Sequence, residues 1–281
     1  MKFDLDTAWR DTRRYLTENA GLLAIMAGIF VFLPYAAMLV LTPLVANMPE
    51  VPEGASFEVA MEALSAFYGD VWWMFLIVSI IVTVGQLAML ALIGRKPHPT
   101  VGEAITIGGK AILPAWIAFL LQTLGVNFVM LLVIFIASAT GSPPVLFIAS
   151  IVALGLAIYL TTRFLLVLPI ASIEGSVNPL HLLLNSWKRT KGHALRLLGF
   201  FLLMAVASIV VALVFTMVTG AVLALFGATV AETIGVIISA LVIAALIVLF
   251  TAALAAVHLQ LQRLSRSGDV TGPATTPRDE R

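Results

Sequence analysis

Six separate stretches of this chain are each long and apolar enough to cross a bilayer, and nothing else in it constrains the fold as strongly. A spanning helix needs roughly 20 mostly apolar residues, and the stretches are Ala20–Ala46, Val71–Ile93, Ala111–Ala139, Val145–Ala171, Ala194–Thr219 and Ile234–Val257. In hydrocarbon every backbone N–H and C=O must find its partner inside the chain, so runs of this length are expected to be α-helices. Pro34, Pro114 and Pro169 fall in or at the ends of these runs, where neighbouring helices take up the freed carbonyls. The expected fold is all-α: a polytopic membrane protein with six transmembrane helices, one domain over residues 1–262 and a disordered tail over 263–281. Composition agrees, with 61% hydrophobic and 11% charged residues, against roughly 25% charged in an average soluble domain.

Orientation follows from the cations, because Lys and Arg near span ends favour the cytoplasmic side. Fifteen of the sixteen fall in alternate segments: the N-terminal stretch, the second and fourth connections with their flanks, and the C-terminal tail. The other connections contain none, and the first of them holds Glu50, Glu53, Glu58, Glu62 and Asp70. Both termini are therefore expected in the cytoplasm. Glu58 and Glu62 share one helical face and read as part of a solvated outer helix capped by Ser56, followed by Trp72 and Trp73 where an aromatic belt would stand. The first apolar run is far longer than the ~7–15 residues of a signal-peptide core and has no cleavage pattern after it, so a retained anchor is expected.

The segments before the first, third and fifth spans share a helical signal. Leu5, Ala8, Trp9, Thr12 and Leu16 form one stripe; Val101, Ala104, Ile105 and Gly108 form a second, opened by Thr100 and Glu103 in capping-box register. In NPLHLLLNSWKRTKG, Leu180, Leu183, Leu184 and Trp187 oppose His181, Asn185, Lys188 and Arg189, with Asn178 as N-cap, Pro179 at the first helical position and Gly192 at the stop. Such helices are expected to lie in the membrane interface, apolar stripe among acyl chains and cations near anionic head groups. Three of them suggest a three-fold repeat of interfacial helix plus two-span hairpin.

The stretch from Arg163 to Leu203, RFLLVLPIASIEGSVNPLHLLLNSWKRTKGHALRLLGFFLL, resembles the membrane domain fused to some glycerophosphodiester phosphodiesterases and the related stand-alone inner-membrane proteins of the YciC-like kind. The matching positions are Arg163, Pro169, Glu174, Ser186 and Gly192. The resemblance implies a six-span helical module of the bacterial inner membrane. It does not carry over diesterase chemistry, because only 24 polar residues follow Val257.

Arg163 is the most informative single residue, since an arginine inside a span must pair, face water or snorkel. Two readings stay open: a structural role, capping loop carbonyls or pairing with Glu174, and a site for a lipid head group or other anion together with Lys188, Arg189, Lys191 and Arg196. Gln122 and Asn127 are expected to link helices by hydrogen bonds or to mark a polar pathway. No cofactor or metal site is expected: the chain has no cysteine, and its four histidines, His98, His181, His193 and His258, lack ligand spacing. TIGGKAI lacks the first glycine of a phosphate loop, and Ala111 stands where its Ser or Thr would be. Gly-x-Ser-x-Gly and His-Glu-x-x-His are absent, and cations flanked directly by spans offer nucleic acid no groove. The expected function is a non-enzymatic integral protein that binds membrane phospholipid or a membrane-protein partner, self-association included. The alternative is a transporter or channel, which would need a cavity beside Arg163, Gln122 and Asn127.

Overall fold

The computed structural model describes residues 3–41, 54 and 56–270, with backbone only at 228–230 and 267–270. Lys2, Glu50, Glu53, Arg278, Arg281 and the end of the first expected span lie outside these residues. Among the described residues there are helices and no strands. They are α1 (Leu5–Glu18), α2 (Ala20–Leu41), α3 (Phe57–Gly94), α4 (Val101–Ser138), α5 (Pro143–Arg163), α6 (Val167–Ile173), α7 (Pro179–Thr190), α8 (Ala194–Leu223) and α9 (Ala228–Val270). Six helical stretches are long and apolar enough to cross a membrane, α5 and α6 together forming the fourth. The last helix continues through Arg263 and Arg266, residues the sequence assigns to the tail.

Prolines explain two irregularities. Pro34 has no N–H for the Phe30 carbonyl, and α2 widens into a π-turn over Gly28–Phe32 just before it. Pro169 likewise cannot bond Leu165, and the fourth span breaks at residues 164–166 before restarting as α6. Caps mark the starts: Asp4 accepts the Thr7 N–H at 3.1 Å, the Thr100–Glu103 capping box forms in both directions, and Asn178 accepts from Leu180 and His181 at 3.0 and 3.3 Å. Gly192 has φ +78°, as a stop glycine requires.

The second expected interfacial helix is not a separate element. Val101–Gly108 runs straight into the third span inside α4, because Gly108 is where α4 meets α3 and the helix must stay regular there. A Cβ at Gly108 would sit 2.6 Å from the Val84 carbonyl oxygen. Glu58 and Glu62 similarly belong to the first turns of α3 rather than to a detached surface helix. The pattern of short helix plus hairpin is thus met by α1–α3 and by α7–α9, but not in the middle.

Helices α6 and α9 occupy the middle of the bundle, α6 against α3 and α4, α9 against α1, α2, α3 and α8. Close approach is possible because the contact faces are built of alanine: Ala88 and Ala91 on α3, Ala115 and Ala118 on α4, Ala252 and Ala256 on α9 are all fully buried. The small-residue steps Ala240/Ala244 and Ala252/Ala256 are consumed inside the chain. Outward faces are apolar, as with Leu124, Phe128, Leu131 and Phe135 on α4, which suits hydrocarbon rather than water.

Long-range bonds gather four segments at one end of the bundle. Arg196 Nη1 donates to the Phe3 carbonyl at 3.3 Å, Gln260 to the Asp4 carbonyl at 3.1 Å, Arg263 to Asp11 at 3.1 Å, and Arg95 Nε to the Ser172 carbonyl at 2.7 Å. The basic segments separated in sequence therefore form one basic end.

Candidate functional site

The site is organised by the break at residues 164–166. Breaking a helix orphans backbone groups, and here α7 supplies their partners. Ser186 Oγ accepts the Leu166 N–H at 3.2 Å and donates to the Arg163 carbonyl at 2.9 Å; Thr190 Oγ1 donates to the same carbonyl at 3.0 Å. Both hydroxyl residues are fully buried. Leu182, Ser186 and Thr190, spaced by four, form the docking face of α7.

The expected apolar stripe of α7 is consequently turned outward: Leu180, Leu184 and Trp187 are exposed. Helix α1 behaves alike, docking through Ala8, Asp11, Thr12 and Tyr15 and leaving Leu5 and Trp9 exposed. Of its predicted stripe, only Ala8 and Thr12 face the core. Each short helix has three faces: a mixed inner row, an outward apolar stripe and a cationic edge.

Arg163 closes α5 and is only 4% exposed. It does not pair with Glu174. Its Nη2 donates to the Trp187 carbonyl at 2.7 Å and its guanidinium lies 4.1 Å from the Trp187 ring centroid, so the carbonyl-capping alternative describes its geometry. Replacing Arg163 with Met is expected to lower stability by about 1–2 kcal/mol through the lost cation–π contact and hydrogen bond. Co-purified lipid, quantified by mass spectrometry, should be unchanged, since the guanidinium is buried under α7.

Glu174 pairs instead with Arg189, both carboxylate oxygens meeting the guanidinium, the Nη2–Oε2 distance being 2.9 Å. Gln262 Nε2 donates to Oε1 at 2.8 Å. His258 Nε2 lies 3.1 Å from the same oxygen, off the line of a well-aligned hydrogen bond, and its ring is fully buried. Burial pushes the Glu174 carboxyl up, but the contacts of His258 and Arg189 and the charge of Arg189 outweigh it and bring it down to about 2. This cluster ties the α6–α7 connection to α9. Sequence reasoning missed His258 and Gln262; their spacing of four, on the apolar run's last turns, is the signal that would have found them.

The remaining predicted cations divide. Arg196 is tied to the Phe3 carbonyl, whereas Lys188 and Lys191 are exposed and have no side-chain bond among the described residues. The two amides do not join Arg163. Gln122 lines an apolar groove of about 490 Å³ between α4, α5 and α7, its Oε1 without a partner; Asn127 is exposed and donates to the Thr123 carbonyl of its own helix at 2.8 Å. A larger cavity, about 1400 Å³, opens at the basic end between the end of α1, the α3–α4 connection and the end of α9. Arg14, Arg95, Lys96, Arg263 and Arg266 line it, and of these the sequence reading named none as a site residue. Among the described residues no three His, Asp or Glu side chains converge as metal ligands would.

The geometry defines a helical protein with six stretches able to span a membrane and a basic, cavity-bearing end. No protein-family model, no curated protein and no solved structure matches this chain.

Proposed function

We propose that this chain is a non-enzymatic integral protein of the bacterial inner membrane, both termini cytoplasmic, that binds anionic phospholipid at its basic end and serves membrane-lipid or envelope homeostasis. The observation that carries the reading is the orientation of α1 and α7. Both dock through a mixed inner row and leave an apolar stripe outward beside exposed cations. That is the arrangement an interfacial helix needs to seat its stripe among acyl chains and its cations among head groups. The resemblance over Arg163–Leu203 points to the same kind of module. Transport has less support, because Arg163, Gln122 and Asn127 do not share a cavity.

The test is retention of lipid after mild solubilisation, read by native mass spectrometry. The wild-type protein is expected to keep anionic phospholipid in preference to zwitterionic. The Lys188→Ala/Lys191→Ala variant should weaken that preference by about 1 kcal/mol per cation removed. A protein that comes through free of lipid, or with no preference for anionic head groups, would sink the reading.

A further inference from the structure

We propose that the 1400 Å³ vestibule at the basic end is a binding site for a phosphate group, held by Arg95 with Lys96 and Arg266. The inference deepens the anionic-lipid reading, and it rests on that reading only for the lipid as the phosphate's source.

Arg95 is built into the wall rather than left on the surface. Its Nε donates to the Ser172 carbonyl at 2.7 Å, and the Ser172 hydroxyl in turn donates to the Leu87 carbonyl of Arg95's own helix. The guanidinium passes so close to residue 175 that a Cβ there would lie 3.1 Å from Nη2, and residue 175 is a glycine with φ +72°. Anchored by one nitrogen, Arg95 keeps the N–H groups of Nη1 and Nη2 without an acceptor among the described residues. A guanidinium fork with open donors matches phosphate geometry better than any other common anion-binding side chain.

The surrounding charges favour an anion. Five cations line the vestibule against three carboxylates, Glu18, Glu103 and Glu174. Glu103 is engaged by Thr100, Glu174 by Arg189 and Gln262, and Glu18 lies 3.8 Å from Arg14. Arg14 and Arg263 share Asp11. Lys96 and Arg266 are exposed, with no side-chain bond among the described residues. The volume exceeds the roughly 300–1,000 Å³ of ordinary small-molecule sites, so the phosphate can carry a substituent. A phospholipid head group and a soluble phosphate ester both supply that chemistry.

The experiment uses the full chain in neutral detergent. Inorganic phosphate and glycerol 3-phosphate are titrated calorimetrically, and phosphatidylglycerol retained from nanodiscs is counted by native mass spectrometry. Wild-type protein is expected to show one saturable phosphate site or one extra retained phosphatidylglycerol. Lys96→Ala/Arg266→Ala should weaken it by about tenfold or more, with an unchanged thermal midpoint because neither side chain is bonded to the protein. Gly175→Ala, which displaces Arg95, should weaken it as well. Saturation by the soluble probes assigns a free phosphate compound; saturation by phosphatidylglycerol alone assigns a lipid head group. Affinity within twofold of wild type in Lys96→Ala/Arg266→Ala, or no saturable binding of any probe, overturns the proposal. If that happens while lipid retention still depends on Lys188 and Lys191, only the vestibule fails; if saturable phosphate binding survives without any preference for anionic lipid, only the interfacial reading fails.

Discussion

Glu174→Gln should cost on the order of 3 kcal/mol of stability, seen as a lowered thermal midpoint in mild detergent. The substitution keeps the side chain's size and an oxygen for Gln262, so the loss is electrostatic. Arg189 is left without its carboxylate in a setting where the two side chains are only 24% and 22% exposed. His258, fully buried, loses the one charged group within 3.1 Å. Because α6, α7 and α9 meet at this carboxylate, loosening should spread to the break at residues 164–166. A double-mutant cycle with Arg189→Gln separates the pair from its neighbours: the double variant should lose clearly less than the sum of the single losses. Additive losses would mean that the pair does not couple.

The same carboxylate sets an acid limit. Its folded-state value of about 2 lies below the ordinary 4.5, so the folded protein binds this proton less readily than the unfolded chain does. The contribution is complete above pH 4.5 and is lost as pH falls towards about 2. A wild-type thermal midpoint that drops across that window, with a flatter profile in Glu174→Gln, is the expected result. Equal slopes for the two proteins would assign the acid sensitivity elsewhere.

The second large effect is expected at Ser186. Ser186→Ala removes one hydroxyl, yet it takes the acceptor from the Leu166 N–H and one donor from the Arg163 carbonyl. Leu166 is fully buried, so no water replaces the acceptor, and an unsatisfied buried group costs about 1–3 kcal/mol. The Arg163 carbonyl keeps Thr190, which confines the damage to the amide. Hydrogen exchange should show the Leu166 amide losing protection before the interior of α9 does. Protection of Leu166 equal to wild type would show that the break is held by packing rather than by the hydroxyl.

Much of this was legible in the chain itself, for identifiable reasons. Spans declare themselves because hydrocarbon demands length and apolarity together, and the six runs all became helices able to cross a membrane. Asn178, Thr100 with Glu103, and Gly192 were readable because caps and stops are local chemistry between residues two to four apart. The detached second surface helix was not, because whether Gly108 ends a helix or lets two helices touch depends on Val84, a residue on another element.

The sequence by itself determined which segments are helical, which of them can span, and that the cations sit on alternate connections, since each follows from composition over a single stretch. Only the tertiary structure decided who meets whom. It gave Glu174 to Arg189, Gln262 and His258 rather than to Arg163, turned the stripe of α7 outward by docking Ser186 and Thr190, and assembled Arg14, Arg95, Lys96, Arg263 and Arg266 around one cavity. Those pairings join residues up to about 250 positions apart, and the physical reason they escape a linear reading is that a buried polar group takes its partner from whatever neighbour the packing of alanine-lined helices delivers.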